Sequence, residues 1–238
     1  MLGYLRDIGE ALRANAIFYG LLVIPMLCVT YYAGDPNHRI AWPAIAASNV
    51  LSFVSGGVMA SYFSPRFGGE VDPGMPGILR YSVVCGLNTI YWLGAIVLFY
   101  YLGSWLVWAV SLALGDQYLL PLHEMLLAVS LVVALLICAR WASASSLALL
   151  SAEGHPLRRS WRLTSGRWLL RSSLTCASLI SLNIALEVLA FRFIPDHPWL
   201  FRAAALCADE MLSTFLFVRI YIEFARNLLR IEPVPVEN

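Results

Sequence analysis

The sequence predicts an all-α integral membrane protein, a single-domain polytopic bundle of about six transmembrane helices with short interfacial helices on the cytoplasmic side. Three observations indicate this fold class. Of the 238 residues, 60% are hydrophobic and only 13% are charged, whereas ordinary globular domains carry about 25% charged residues. Long apolar runs recur along the chain, and most arginines fall between them. A soluble fold of this length has too little interior to bury so much apolar surface.

The first element is a short amphipathic segment that precedes the first apolar run. Leu2, Leu5, Ile8 and Leu12 recur at helical spacing, with charged residues between them. This pattern is typical of a helix that lies at the membrane interface. The segment contains acidic residues, and no AxA-like cleavage site follows the apolar run, so we expect it to be retained rather than removed as a signal peptide.

The spans are predicted from apolar length, because about 20 residues are needed to cross a hydrocarbon core of about 30 Å. All should be helical, since an open strand leaves backbone groups unsatisfied in lipid. Their approximate bounds are 15–33, 43–63, 82–103, 122–146, 169–191 and 200–224. The third run stays apolar as far as Leu114, and two interpretations remain open. Residues 104–114 lie along the interface after a break at Gly103, or they belong to the third span.

The arginines indicate the orientation of the bundle. Arg39, Arg192 and Arg202 fall on one side of the predicted spans, and eleven arginines fall on the other side. The eleven are Arg6, Arg13, Arg66, Arg80, Arg158, Arg159, Arg162, Arg167, Arg171, Arg226 and Arg230. Because loops rich in arginine stay in the cytoplasm, both termini are predicted to be cytoplasmic. An even number of spans agrees with that placement.

The densest arginine segment is GHPLRRSWRLTSGRW, residues 154–168. Pro156 suits the first turn of a helix and Gly166 suits its end, which predicts a short amphipathic helix at headgroup depth. One interpretation is an electrostatic anchor on anionic lipid. The other is a pocket for a phosphate-bearing headgroup, because guanidinium groups bind phosphate bidentately. The candidate headgroup-binding residues are Arg158, Arg159, Trp161, Arg162 and Arg167.

The segment RRSWRLTSGRW, followed by a new apolar run, resembles the membrane domain associated with glycerophosphoryl diester phosphodiesterases and related bacterial proteins of uncharacterised function. The closing YIEFARNLLR, residues 221–230, is similar to the tyrosine–acidic–arginine signature of that family. The resemblance covers the last third of the chain. It implies a six-helix domain in a bacterial inner membrane. No segment between the spans is long enough for the family's soluble phosphodiesterase domain, so hydrolase activity is not expected.

Charged residues inside the predicted spans form a second set of candidates. An ionisable group at the bilayer centre costs at least about 2.5 kcal/mol, so such groups pair or face the bundle interior. The set comprises Arg140, Glu187, Asp209, Glu210 and Arg219. We expect Arg140 to pair with Asp209 or Glu210. Glu187 should pair with Arg192 or Arg202, and Arg219 with Glu223 one turn away. Structural pairing is favoured, while a subunit contact and a proton or solute path along the last span remain open.

Small polar residues are dense in spans two, four and five, and we interpret them as packing surfaces that let helices approach closely. They include Ser48, Asn49, Ser52, Gly56, Gly57, Ser143, Ser145, Ser172 and Asn183. Three histidines, His38, His123 and His197, fall in predicted external loops near carboxylates. Imidazole is a zinc ligand, but no ligand motif joins the three. They are therefore weak metal candidates, and no metal or other cofactor is predicted.

Three functions are compatible with these features. The favoured one is a non-catalytic accessory or structural subunit that binds anionic lipid headgroups and docks on a larger membrane complex, with no nucleic-acid partner. The alternative is a small transporter or lipid-handling protein that uses the charges Asp209, Glu210 and Arg140. A membrane-embedded enzyme acting on lipids would depend on the three histidines. No nucleotide-binding loop, nucleophile elbow or haem-attachment motif occurs in the sequence, so enzymatic activity is not expected.

Overall fold

The computed structural model describes residues 1–33, 39–71, 74–115, 119–152, 154–193 and 199–231, and all regular structure in these residues is helical. The all-α prediction is therefore confirmed. In chain order the helices are α1 (Leu2–Ala14), α2 (Ala16–Ala33), α3 (Ala41–Phe63), α4 (Met75–Leu114), α5 (Leu119–Trp141), α6 (Ala144–Leu150), α7 (Pro156–Leu163), α8 (Arg167–Phe193) and α9 (Trp199–Ile231). A short 3₁₀ helix, Ser64–Phe67, follows α3.

The outer surface of the bundle is apolar. On α2, Ile17 is 86% exposed and Leu21 is 71% exposed, and large apolar side chains are also exposed along α4, α5 and α8. Within the described residues, five stretches are long and apolar enough to cross a membrane, in α2, α3, α4, α5–α6 and α8. Soluble proteins rarely expose contiguous apolar surface on this scale. The protein is therefore embedded in a membrane.

The sixth predicted span corresponds to α9. This helix has 33 residues, which corresponds to about 50 Å at a rise of about 1.5 Å per residue. Its length is sufficient to cross a bilayer, but Arg202, Asp209, Glu210 and Arg219 interrupt its apolar character. It is not among the five stretches that meet both criteria, so the count of six spans stays a prediction.

Five long helices form a closed ring. The contacts run from α3 to α4, from α4 to α5, from α5 to α8, from α8 to α9, and from α9 back to α3. The short helix α6 contacts α3, α4 and α9, and all seven of its residues are buried. Helices α1 and α2 pack against α3 and α9. The ring therefore has an interior, and α6 occupies part of it.

The close approach of α3 and α4 depends on glycine. A Cβ atom at Gly57 would lie 2.9 Å from the carbonyl oxygen of Ile78, and one at Gly56 would lie 3.2 Å from the Tyr81 ring. A side chain at Gly57 would therefore push the two helices apart. At these two positions the interpretation of small residues as a packing surface is confirmed.

Two predicted bounds differ from the structure. Helix α4 is continuous from Met75 to Leu114, so residues 104–114 extend the third helix and the break considered at Gly103 does not occur. The predicted span 122–146 is instead interrupted, because α5 ends at Trp141 and α6 begins at Ala144. Gly103 and Ser104 lie inside a continuous helix, whereas no glycine or proline lies at the break after Trp141, so these local signals do not locate it.

The two predicted short helices, α1 and α7, are both present. Helix α1 ends where the Asn15 side-chain amide donates to the Ala11 carbonyl at 2.9 Å. Helix α7 begins at Pro156, and Gly166, with a φ of 52°, lies in the turn between α7 and α8. That positive φ suits glycine, which has no Cβ to clash.

Candidate functional site

A cavity of about 360 Å³ lies inside the ring, bordered by α3, α4, α6, α8 and α9. Ser52 lies on its wall and is the central residue of α3, with about 16 Å of helix on either side. The cavity therefore reaches the middle of the membrane-spanning part of the protein. Its polar lining residues are Asn49, Ser52, Tyr81, Asn88, Thr89, Ser145, Asn183, Glu210, Ser213 and Thr214.

Glu210 of α9 places a carboxylate on the wall of this cavity. The Ser48 hydroxyl donates to it, with Oγ 2.9 Å from Oε2 and 3.1 Å from Oε1. The Ser52 hydroxyl donates to Oε1. Ser48 and Ser52 are one turn apart on α3, so their side chains lie on the same face of that helix. These donors replace part of the hydration that a carboxylate loses on burial, and they fix its position.

Asp209 precedes Glu210 and contacts a different helix. Successive residues are about 100° apart around a helix, so Asp209 faces α8 whereas Glu210 faces α3. The Asn183 amide donates to Asp209 Oδ2 at 3.3 Å, and the Ser213 hydroxyl donates to Oδ1 at 3.4 Å. Asp209 is 8% exposed. The two adjacent carboxylates thus connect α9 to both of its neighbours in the ring.

Asn88 of α4 contributes an amide to the cavity. Its Oδ1 atom is buried and accepts no hydrogen bond from the described residues. Buried polar atoms without a partner are uncommon in native proteins. A ligand or water molecule in the cavity that carries an N–H or O–H donor would satisfy this oxygen.

The charge of the lining is negative. Among the described residues that border the cavity, Glu210 is ionisable as an acid and there is no arginine or histidine. A carboxylate attracts a cation more strongly in an environment of low dielectric than in water. The volume is at the lower end of the range of roughly 300–1,000 Å³ for small-molecule sites. The arrangement therefore suits a small cationic ligand.

The interruption between α5 and α6 lies next to the cavity, because Ser145 of α6 is part of the lining. Side chains from other helices bond the last carbonyls of α5. Ser172 Oγ donates to the Ala139 carbonyl at 2.7 Å, and Ser160 Oγ donates to the Arg140 carbonyl at 2.6 Å. Non-helical backbone at membrane depth is tolerated where it is buried in protein or lines a cavity. The break is therefore compatible with membrane insertion.

Arg219 of α9 is the centre of a second charged cluster. It pairs with Asp7 of α1 at 2.8 Å and with Glu223, one turn along α9, at 3.1 Å. The Arg219 side chain is 13% exposed and that of Asp7 is 21% exposed. The guanidinium also lies over the rings of Tyr4 and Phe67, at 4.9 Å from each centroid. The predicted pair with Glu223 is confirmed, and Asp7 is a partner that sequence analysis did not identify.

Tyr4 joins α1 to the same cluster. Its hydroxyl donates to Glu223 Oε2 at 3.2 Å. Burial raises the pKa of the Tyr4 phenol above its ordinary value, and the neighbouring Glu223 carboxylate raises it further. The phenol therefore stays protonated at neutral pH and remains a hydrogen-bond donor. Tyr4 and Asp7 are neighbours on one face of α1, and this face is attached to α9.

The predicted pairing of Arg140 with Asp209 or Glu210 is wrong. Arg140 donates to the Trp161 carbonyl at 3.1 Å and lies over the Trp161 ring at 4.7 Å. It lies at the end of α5, whereas the two acidic residues bond to α3 and α8 in the interior of the ring. The residues are at different depths, and the sequence order of the spans does not reveal this.

Glu187 is exposed on α8. A pair with Arg192 or Arg202 is not among the ion pairs of the described residues. Its carboxylate is exposed on a helix that meets the criteria for a membrane span, one turn from Asn183 and on the side of α8 that approaches Asp209.

The headgroup candidates of α7 and the following turn fall into two groups. The exposed arginines are Arg158, Arg162 and Arg167. Arg159 is directed toward the protein, where its Nη1 donates to Ser151 Oγ at 2.7 Å. Trp161 is 42% exposed, and its ring packs against that of Trp141 with centroids 5.3 Å apart.

The structure describes one of the three histidine candidates, His123. His38 and His197 lie outside the described residues. His123 lies within α5 rather than in a loop, because that helix begins at Leu119. Within the part of the chain that the structure describes, no group of three His, Cys, Asp or Glu side chains is placed to hold a metal ion.

Asp209 and Glu210 were candidates from the sequence. Their hydrogen-bond partners Ser48, Ser52 and Asn183 were interpreted from the sequence only as residues that let helices pack closely. The available signal was the one-turn spacing of Ser48 and Ser52, which puts two hydroxyls on one face of an otherwise apolar span. Comparison of the chain with protein-family models, with curated proteins and with solved structures finds no match. The function is therefore argued from the geometry of the cavity.

Proposed function

We propose that this protein is a small membrane transport protein that binds a small cationic solute in the cavity of the ring. Glu210 recognises the positive charge of that solute. The observation behind the proposal is a carboxylate on the wall of a cavity at mid-membrane depth. Ionisable groups inside a membrane are costly and commonly mark substrate or ion pathways. Of the functions considered from the sequence, the cavity favours the transporter.

The polar groups around Glu210 indicate what kind of cation the cavity accepts. Asn88 offers an amide oxygen that lacks a donor, and Ser213 and Asn183 offer further polar atoms on the wall. An alkylammonium ion carries both a positive charge for Glu210 and an N–H donor for the Asn88 oxygen. We therefore expect small primary amines to bind better than quaternary ammonium ions, which have no N–H.

The short helix α6 contributes to the cavity as a separate element at the end of α5. It follows the break after α5, contacts α3, α4 and α9, and contributes Ser145 to the cavity. A helix that is not continuous with its predecessor can move relative to it without unwinding a whole span.

We also propose that both termini lie in the cytoplasm and that the membrane is a bacterial inner membrane. The clustering of arginines around α1, α7, the start of α8 and the end of α9 supports this orientation. The attachment of α1 to the C-terminal half of α9 is compatible with this orientation, since the N-terminal helix and the end of the last helix then lie on the same side of the membrane. The resemblance to the phosphodiesterase-associated membrane domain, and the expectation that the protein is not an enzyme, stay predictions.

A ligand screen on the purified protein tests the proposed charge class. Thermal unfolding is followed in mild detergent with ethylammonium, tetramethylammonium, acetate or glycerol at equal concentrations. A ligand that binds the folded state alone raises the unfolding temperature. We expect ethylammonium to raise it most and acetate to have no effect. Stabilisation by acetate, or by none of the four, would contradict the proposal.

The accessory-subunit function remains as a second candidate because of Glu187. Its carboxylate is exposed on α8, and a charged group that faces lipid is costly. Contact with a partner subunit would remove that cost. Purification of the full chain from its native membrane in mild detergent, followed by mass measurement of the intact complex, tests this candidate. Co-purification of a second protein at fixed stoichiometry, and its loss from the Glu187→Leu variant, would support the accessory-subunit function. A lone monomer would count against that function.

A further inference from the structure

A second cavity, also of about 360 Å³, lies between α8 and α9 beside α1. Its lining includes the polar residues Arg171, Thr175, Ser178, Glu223 and Asn227 and the apolar residues Leu174, Ile220 and Phe224. The cavity has no part in the proposed binding of a solute at Glu210. Its two charged residues have opposite sign, which distinguishes it from the central cavity.

Both charged residues lie near the same end of the bundle. Arg171 is about 6 Å from the start of α8, and Glu223 is about 12 Å from the end of α9, at a rise of about 1.5 Å per residue. Trp168 lies beside Arg171, with the guanidinium carbon 5.5 Å from the ring centroid. Tryptophan is enriched where the bilayer meets water. The polar part of the cavity is therefore at headgroup depth.

Each charged residue keeps capacity for a ligand. Arg171 is exposed and forms no ion pair within the described residues. Glu223 binds Arg219 and Tyr4 through Oε2, yet its side chain is 44% exposed. Leu174 is 62% exposed at the rim. The cavity thus offers a cation and a carboxylate near one end and, in Leu174, an apolar side chain that faces outward.

We propose that this cavity binds the headgroup of a zwitterionic phospholipid of the phosphoethanolamine type. The phosphate lies at Arg171 and the ammonium group at Glu223, while the acyl chains run along Leu174 toward the bilayer. Guanidinium groups bind phosphate oxygens bidentately, and an ammonium group pairs with a carboxylate. The headgroup of phosphatidylglycerol ends in a neutral glycerol, which offers no positive charge to Glu223, so the cavity discriminates against it.

The site differs from the arginine-rich α7 in the lipid that it selects. A cluster of exposed arginines attracts an anionic surface in proportion to charge. A cation and a carboxylate that border one cavity instead select a headgroup with both charges. Phosphatidylethanolamine is therefore expected to bind in preference to phosphatidylglycerol, although the second lipid carries more net negative charge.

The test is native mass spectrometry of the full chain in detergent with phosphatidylethanolamine and phosphatidylglycerol at equal concentrations. We expect wild type to retain phosphatidylethanolamine preferentially. Arg171→Gln should reduce retention about tenfold, the effect of losing one charge-assisted contact of about 1.4 kcal/mol. Arg6→Gln, which removes the same charge from a side chain of α1 that is 78% exposed, should leave retention unchanged. Equal retention by Arg171→Gln and wild type, or an equal loss in Arg6→Gln, would overturn the proposal.

A second variant tests the ammonium partner. Glu223→Gln keeps an acceptor for Tyr4 but removes the negative charge, so the preference for phosphatidylethanolamine over phosphatidylglycerol should disappear. Thermal unfolding first checks that the Glu223→Gln protein is folded. An unchanged preference for phosphatidylethanolamine in that protein would overturn the assignment of the ammonium group to Glu223. Soluble phosphoethanolamine is added as a competitor to identify the source of the headgroup. We expect that soluble phosphoethanolamine at equal concentration does not displace the lipid. Full displacement would show that the acyl chains contribute nothing to binding.

Discussion

The Nη2 atom of Arg219 in α9 lies 2.8 Å from the Oδ2 atom of Asp7 in α1, and the two residues are 212 positions apart in sequence. With Tyr4 and Glu223 they attach the first helix of the chain to the last. An amphipathic helix at a membrane interface can bind lipid without contacting protein. Here α1 instead packs on the ring, so its position is tied to that of α9, which also carries Glu210.

The attachment of α1 predicts a specific loss in Arg219→Gln. Removal of the guanidinium leaves Asp7 without its partner, and a partly buried charge-assisted interaction contributes about 1.5–3 kcal/mol. Hydrogen–deuterium exchange should show α1 exchanging faster while α3 and α4 remain protected. Arg6→Gln is the control, because that side chain is 78% exposed and its removal should leave α1 protected. Unchanged exchange of α1 in Arg219→Gln would show that the ion pair does not hold the helix.

The approach of α3 to α4 predicts opposite outcomes for two glycine substitutions. Gly57→Ala places a methyl group 2.9 Å from the Ile78 carbonyl, and such overpacking costs about 1–3 kcal/mol. Gly86→Ala, in α4, places the methyl group where no atom lies within 4 Å. Alanine favours helix over glycine, so this variant should be as stable as wild type or more stable. Thermal unfolding in detergent checks both, and equal stability of the two variants would contradict the packing described.

The helix break predicts a role for Ser160 that an ordinary span serine does not have. Ser160→Ala leaves the Arg140 carbonyl without its side-chain donor, and an unsatisfied buried polar group costs about 1–3 kcal/mol. Ser130→Ala is the control, because Ser130 donates to the carbonyl of Leu126 within its own helix. Thermal unfolding should show a clear loss of stability for Ser160→Ala and little loss for Ser130→Ala. A loss of the same size in both would mean that the helix break does not depend on the Ser160 hydrogen bond.

The fold class and most helix positions follow from the sequence because they depend on local properties. Apolar length predicts the spans, helical spacing predicts α1, and Pro156 and Gly166 predict the bounds of α7. Asp209 and Glu210 were identifiable because a charge in an apolar run is visible in the sequence. Each of these features is contained within one segment of the chain.

The remaining features depend on which segments become neighbours. The partner of Arg219 is Asp7, from the opposite end of the chain, and no spacing rule connects them. No glycine or proline marks the break after Trp141, and Ser160 and Ser172 support it from other helices. The order of helices around the ring decides that Glu210 meets Ser48 and Ser52 instead of Arg140. Helix order in a ring is a tertiary property, and hydropathy does not determine it.

The most direct test of a cation site at Glu210 is the equilibrium dissociation constant for ethylammonium, measured on wild type, Glu210→Gln and Glu124→Gln. The first variant keeps an acceptor for Ser48 and Ser52, so it should fold, but it removes the charge inside the cavity. The second removes the same charge from an exposed position on α5, which does not border the cavity. We expect Glu210→Gln to weaken binding at least about tenfold, which corresponds to about 1.4 kcal/mol, and Glu124→Gln to bind as wild type does. Equal binding by wild type and Glu210→Gln, or no binding by wild type, would contradict the proposed function.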